Sequence, residues 1–86
     1  MKFKQPLTGN ALIAALRNSD PHAYEFIVEH YFDDMCKIAF GLTNEKATAA
    51  TVVSLAFHRL WEERESIPDG ASILAHLNKY IGDAIR

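Results

Sequence analysis

The sequence contains a single cysteine, Cys36, and this scarcity excludes two common ways of stabilising a small protein. One thiol cannot form a disulfide within the chain, and it cannot supply the several sulfur ligands of a cysteine-based zinc site. No hydrophobic run approaches the roughly 20 residues that span a bilayer, and the N-terminal MKFKQPLTGN is not followed by a signal-peptide core. We therefore expect a soluble, cytoplasmic protein without membrane association.

An excess of positive charge is missing as well. Nine Lys and Arg face eleven Asp and Glu, which leaves a net charge of −2. Strong nonspecific nucleic-acid binders usually carry a basic surplus, so the charge balance weakens that function class without excluding it. With 49% hydrophobic residues the chain is too apolar for disorder. Its 86 residues allow one small domain, too small for a deep enclosed pocket.

Glycine and proline are scarce, and they fall between segments with helical periodicity. Asn10 precedes a short amphipathic segment and is the predicted cap of a first helix. Asp20-Pro21 is a strong start signal for a second helix, because aspartate accepts from free first-turn amides and proline already has helical φ. Asp33-Asp34 predicts a kink in that helix, with a second segment beginning at Met35.

The second half of the chain continues the helical pattern. Asn44 is the predicted cap of the longest helix, which should cover residues 45–65. The turn SIPDGAS follows, and Ser72 is the predicted cap of the final helix. Since no segment shows strand alternation, we expect an all-α bundle of four to five helices. Residues 1–10 form an N-terminal segment in this prediction and 11–86 form the domain.

Apolar positions at helical spacing predict the inward-facing residues of this bundle. Tyr31 and Trp61 fit the same interior. The predicted inward-facing set is Leu12, Ile13, Leu16, Ala23, Ile27, Met35, Ile38, Ala39, Leu42, Ala49, Val52, Val53, Ala56, Phe57, Leu60, Leu74, Leu77, Ile81 and Ile85.

Signals of catalysis or metal binding are lacking. The four histidines include no pair at the i, i+4 spacing of a helical zinc motif, so ordinary surface or half-buried histidines are the favoured interpretation. The contiguous carboxylates Glu62 and Glu63 point in different directions rather than across a cleft. The glycines are isolated, so no phosphate-binding loop is present. We expect no enzyme, no metal and no cofactor.

The outer side of the last helix interleaves aromatic and basic residues: His76, Lys79, Tyr80 and Arg86. Such a face stacks on unpaired bases and neutralises phosphates in proteins that bind single strands. On the pattern alone, an ordinary solvated face is the favoured alternative.

Five motifs in order resemble region 2 of bacterial extracytoplasmic-function sigma factors, and the resemblance covers residues 11–86. They are a short first helix, a D-P-x-A-aromatic opening, an L-T helix ending, a helix closing in F-x-x-L-W-E, and a loop before an A-x-L-x-K helix start. The matching residues are Asp20, Pro21, Ala23, Tyr24, Leu42, Thr43, Phe57, Leu60, Trp61, Glu62, Ala75, Leu77 and Lys79.

The resemblance implies a helical domain for transcription initiation that binds core RNA polymerase and the single-stranded −10 promoter element, with an anti-sigma factor as a regulatory partner. The long helix would contact polymerase through Thr51, Ser54, Leu55, His58 and Glu62. DNA would be contacted by Arg64, Ser66, Ser72, His76, Lys79, Tyr80 and Arg86. The family's helix-turn-helix module for the −35 element is missing, so we expect a fragment of a longer two-domain protein.

The chain departs from the family pattern on the polymerase-facing helix. Where the family usually has Asp, Gln and Glu, this sequence has Thr51, Ser54 and Leu55. The departure leaves a second interpretation open, in which the chain is a divergent sigma-like module for protein–protein interaction without DNA binding.

Overall fold

Four α-helices make up most of the chain in the computed structural model, which describes residues 9–68 and 70–85, with the backbone alone for Gly9 and Asn10. The helices are α1 (Gly9–Arg17), α2 (Pro21–Thr43), α3 (Lys46–Glu62) and α4 (Ile73–Ile85), and a single 3-10 turn covers Arg64–Ser66. The described residues include no β-strand, so the predicted all-α architecture is confirmed with four helices. None of the described helices is both long and apolar enough to span a membrane.

The junction between α1 and α2 forms as its sequence predicts. The Asp20 carboxylate accepts a hydrogen bond from the backbone N–H of His22 at 2.9 Å, and Pro21 is the first helical residue. Ser19, just before the cap, has a left-handed φ of 62°. The predicted cap of α1 is wrong, because Asn10 is itself helical within α1.

Helix α2 is continuous over 23 residues, so the prediction of a second segment beginning at Met35 is wrong. Both aspartates are exposed, so water solvates their carboxylates without interrupting the helix. Met35 and Ala39, which follow them, are fully buried. Their packing outweighs the low helix propensity of two aspartates. As a result α2, rather than α3, is the longest helix.

The sequence predicted Asn44 as the cap that begins α3, and this prediction is wrong because Asn44 ends α2. Asn44 ends α2 in a left-handed conformation with φ of 57°, and its N–H donates to the carbonyl of Phe40 at 2.7 Å. The residue that precedes α3 is Glu45, in extended backbone and without a side-chain cap bond. Asparagine tolerates the left-handed region better than most residues, which explains its place at the end of α2.

Helix α3 ends at Glu62 rather than at residue 65, because the chain tightens into the 3-10 turn there. The Ser66 hydroxyl donates to the carbonyl of Glu63 at 2.8 Å and stabilises this turn. The Arg17 guanidinium donates to the carbonyl of Ile67 at 3.0 Å, which links α1 to the segment after the turn. Helix α4 begins after the predicted cap: the Ser72 hydroxyl accepts from the N–H of Ala75 at 3.1 Å.

One hydrophobic core receives side chains from all four helices and from Ile67. Most of the predicted core is confirmed, including Ile27, Val53, Phe57 and Leu60. The buried hydrophobic residues are Leu12, Ile13, Leu16, Ala23, Ile27, Met35, Ala39, Ala49, Val52, Val53, Ala56, Phe57, Leu60, Ile67, Ile73, Leu77, Tyr80 and Ile81.

Four predicted core residues are exposed instead: Ile38, Leu42, Leu74 and Ile85. Leu42 keeps 59% of its surface accessible. Near the end of α2 the buried residues are Met35 and Ala39, four residues apart. Ile38 lies three residues after Met35, and Leu42 lies three residues after Ala39, so both are at the flank of the buried stripe. In α4 the buried stripe contains Ile73 and Tyr80 with Leu77 and Ile81, which turns Leu74 toward solvent.

Candidate interaction surfaces

The outer face of α3 carries all five residues predicted to contact polymerase, and each of them is exposed. Thr51 and Glu62 are separated by eleven residues, which is about 16 Å along a helix. The buried side chains of α3 lie on the opposite side, against α2 and α4. We call the set Thr51, Ser54, Leu55, His58 and Glu62 the α3 outer face.

The chemistry of the α3 outer face is mixed and weakly charged. Leu55 exposes 52% of its surface at the centre. His58 Nε2 lies 3.4 Å from a carboxylate oxygen of Glu62. The Thr51 hydroxyl donates to the carbonyl of Ala47 at 3.1 Å, so it is directed at its own helix. Such a face favours apolar contact with a few hydrogen bonds over pairing with several cations.

Beside this face, Arg59 links α3 to α4. Its Nε donates to Glu63 at 2.6 Å and its Nη1 donates to Asp83 at 2.9 Å. The guanidinium also lies 4.5 Å from the ring centroid of Tyr80, within cation–π distance. These hydrogen bonds raise the pKa of Arg59, first through Glu63 and then through Asp83.

The Tyr80 ring is buried, and the prediction that it lies on the outer side of α4 is wrong. Only 3% of its surface is accessible. Burial raises the pKa of the Tyr80 hydroxyl above 10.0, with the Glu63 charge as a smaller cause. Tyr80 lies three residues after Leu77 and seven after Ile73, so the three share the core-facing side of α4. The ring therefore packs in the bundle instead of projecting toward a nucleic-acid base.

Arg64, another predicted DNA contact, is held by the protein itself. Its Nε donates to the Ser19 hydroxyl at 2.8 Å, and its Nη1 donates to the carbonyl of Trp61 at 2.7 Å. Its guanidinium stacks 4.2 Å from the Trp61 ring, which in turn packs 5.1 Å from the ring of Tyr24. Arg64 thus joins the end of α3 to the α1–α2 junction.

The remaining predicted DNA contacts are two serines, a histidine, a lysine and Arg86. Ser66 and Ser72 are exposed, and both hydroxyls take part in local hydrogen bonds. His76 is half-buried, with Nδ1 3.0 Å from the carbonyl oxygen of Ser72. Lys79 is exposed, and no ion pair involving it occurs within the described part of the chain. Arg86 lies outside the described residues.

A groove between α2 and α3 has no counterpart in the sequence predictions. It has a volume of about 330 Å³ and is lined by Cys36, Lys37, Phe40, Lys46, Ala49 and Ala50. The signal in the sequence is weak: Cys36 and Phe40 are four residues apart and share a side of α2. Their partner surface on α3 consists of alanines, which sequence patterns assign to any helix face.

The described residues contain no cluster of three or more His, Cys, Asp or Glu side chains able to hold a metal ion. Comparison of the chain with protein-family models, with curated proteins and with solved structures found no match.

Proposed function

We propose that this chain is a binding module for transcription initiation, of the sigma region 2 type. The α3 outer face contacts core RNA polymerase, and the segment after α3 together with α4 contacts the single-stranded −10 promoter element. The observation that carries the proposal is the α3 outer face: the resemblance implies a polymerase contact there, and the bundle leaves all five residues uncovered.

The mechanism in this proposal is binding, without bond making or breaking. Extruding a base from duplex DNA costs a few kcal/mol, and a protein that binds only the unstacked strand offsets that cost. Polymerase contact raises the local concentration of this module at the promoter. Lys79 supplies phosphate contact, and His76 is the remaining ring near the surface of α4.

The polymerase contact is tested by restoring the acidic surface usual in the family. The double variant Thr51→Asp, Leu55→Glu should bind core polymerase more tightly than the parent and with greater salt sensitivity, because carboxylates pair with the arginines of the clamp helices. The matched control is Leu74→Glu with Asn78→Asp, which makes the same charge change on exposed positions of α4. Pull-down and biolayer interferometry at two salt concentrations measure the effect. Equal binding by the parent and the double variant would show that the α3 outer face is assigned wrongly.

The DNA contact is tested by fluorescence anisotropy with labelled single-stranded and duplex −10-like oligonucleotides at low salt. We expect weak binding that prefers the single strand, since the chain has a net charge of −2. Lys79→Ala should weaken binding to all sequences alike and reduce the salt dependence. Lys37→Ala, an exposed lysine on α2, is the control. Absence of binding to any single strand would overturn the DNA half of the proposal.

A second candidate is a protein–protein interaction module that binds no DNA. The internal contacts of Tyr80 and Arg64 favour it, because they remove an aromatic ring and a cation from the surface expected to meet DNA. Polymerase binding combined with a negative anisotropy result would select this candidate over the first.

A further inference from the structure

The groove between the C-terminal half of α2 and the N-terminal half of α3 is distinct from the α3 outer face and has an apolar floor. Ala49 is buried, and Ala50 beside it is exposed. Because these side chains are small, they leave an open groove above them. The Phe40 ring, which is 43% exposed, lines this groove on the α2 side. Cys36 is half-buried at the same side. An exposed aromatic ring beside a floor of methyl groups is suited to receiving apolar side chains.

The thiol of Cys36 adds to the apolar character of the groove. Burial raises its pKa above 9.0, and the negative charge of Asp33 raises it further. The side chain is therefore a neutral thiol at neutral pH, and it behaves as a small hydrophobic group.

Two lysines border the groove from opposite sides, Lys37 on α2 and Lys46 on α3. Both are exposed, and neither forms an ion pair with another described residue. The nearest carboxylates in sequence are Asp34, three residues before Lys37, and Glu45, which is next to Lys46 and whose carboxylate accepts from the Thr48 hydroxyl. Both charged residues that line the groove are therefore cations, whereas the chain as a whole has a net charge of −2.

We propose that this groove docks an amphipathic helix of a partner protein, with apolar side chains in the groove and flanking Glu or Asp residues paired with Lys37 and Lys46. The volume of about 330 Å³ suits a few inserted side chains. Helix-in-groove recognition uses anchors at i, i+3, i+4 and i+7, and a helix carries acidic residues beside those anchors without strain. This site goes beyond the proposed polymerase and DNA contacts, and its charge preference is opposite to that of a surface for arginine-rich clamp helices.

The test uses two synthetic helical peptides of about 18 residues, long enough to hold helical structure. Both carry Leu at i, i+3, i+4 and i+7; one has Glu on the flanks and the other has Lys. Because Cys36 is the only cysteine, its alkylation rate reports occupancy of the groove directly. We expect the acidic peptide to bind, to slow alkylation of Cys36, and to exceed the affinity of the basic peptide by about tenfold or more.

Charge reversal and truncation at the rim give the matched comparison. Lys37→Glu with Lys46→Glu should invert the preference between the two peptides, and Phe40→Ala should weaken the acidic peptide. The controls are Lys79→Glu and Leu42→Ala, an exposed lysine and an exposed apolar residue outside the groove, which should leave peptide binding unchanged. All these positions are exposed, so helicity measured by circular dichroism should match that of the parent.

Three outcomes would overturn the proposal. Equal affinity for the two peptides would remove the role of the lysines, and binding without protection of Cys36 would place the peptide elsewhere. If Cys36 becomes protected as protein concentration rises without peptide, and sedimentation shows a dimer, the occupant is a second copy of the chain.

Discussion

Leu55 and Leu60 lie five residues apart on α3 in opposite environments. Leu60 is fully buried in the core, whereas Leu55 exposes 52% of its surface. Removing a buried side chain loses its transfer free energy and leaves a cavity, so Leu60→Ala and Phe57→Ala should each reduce the free energy of unfolding by about 2–5 kcal/mol. For so small a domain this is a large part of the total stability.

The matched variant Leu55→Ala should change the free energy of unfolding by less than about 0.5 kcal/mol, because water already covers much of the site. Urea denaturation of the three variants, followed by circular dichroism, measures these differences. Unchanged midpoints for both Leu60→Ala and Phe57→Ala would contradict their placement in the core.

The pKa of the Cys36 thiol is changed by partial burial and by a neighbouring charge. Burial, and secondly the charge of Asp33, raise its pKa above 9.0. The thiolate is the reactive form, so alkylation of the folded chain should require higher pH than alkylation of the chain unfolded in urea. Asp33→Asn should shift the alkylation profile of the folded chain part of the way toward that of the unfolded chain. It removes the charge of Asp33, which is the smaller cause of the raised pKa, and leaves the burial. Coincident profiles for folded and unfolded chain would contradict this environment.

The same shift has a consequence for stability. Because the folded pKa is raised, the protonated thiol stabilises the fold at pH values below the unfolded pKa. This contribution is lost as the pH rises through the folded value. Burial also raises the pKa of Tyr80, above 10.0, so its neutral hydroxyl contributes stability that is lost at still higher pH. Stability should therefore decline on the alkaline side of pH 9.

At the scale of elements, the two-residue connection between α2 and α3 contains one left-handed residue, Asn44. Its φ of 57° is unfavourable for a residue with a Cβ, and asparagine and glycine tolerate it best. Asn44→Ala should reduce the free energy of unfolding by about 1 kcal/mol. Asn44→Gly should be neutral or stabilising, because glycine has no Cβ to strain.

Asn78→Ala is the matched control for this turn, because Asn78 is exposed within α4 and alanine has the higher helix propensity. Thermal melts followed by circular dichroism compare the three variants, and Asn78→Ala should be neutral or stabilising. A loss of stability in Asn44→Gly equal to that in Asn44→Ala would show that the asparagine side chain, rather than the backbone conformation, is what the turn requires.

At the scale of the whole molecule, one core with contributions from every helix predicts a single cooperative unfolding transition. Leu12, Ile13 and Leu16 of α1 are all buried in this core, so α1 should not unfold separately. Trp61 packs against the core near the α1–α2 junction, and its fluorescence reports that region. Fluorescence and far-ultraviolet circular dichroism should give the same midpoint in urea. Midpoints that differ would indicate a separately unfolding segment.

The sequence by itself determined the all-α class, the caps at Asp20 and Ser72, and most of the core, since these follow from local hydrogen bonding and from apolar residues at helical spacing. It also predicted that the five residues of the α3 outer face are exposed, because they lie opposite a clear apolar stripe. Only the tertiary structure decided that α2 runs through Asp33-Asp34, that Tyr80 is buried and that Leu42 is not. The angular position of a side chain at the edge of a stripe is set by where the neighbouring helix crosses, and no local pattern encodes that crossing. The groove beside Cys36 and Phe40 also depends on how the helices cross, because its two sides come from different helices. Its floor consists of alanines, which occur on any face of a helix.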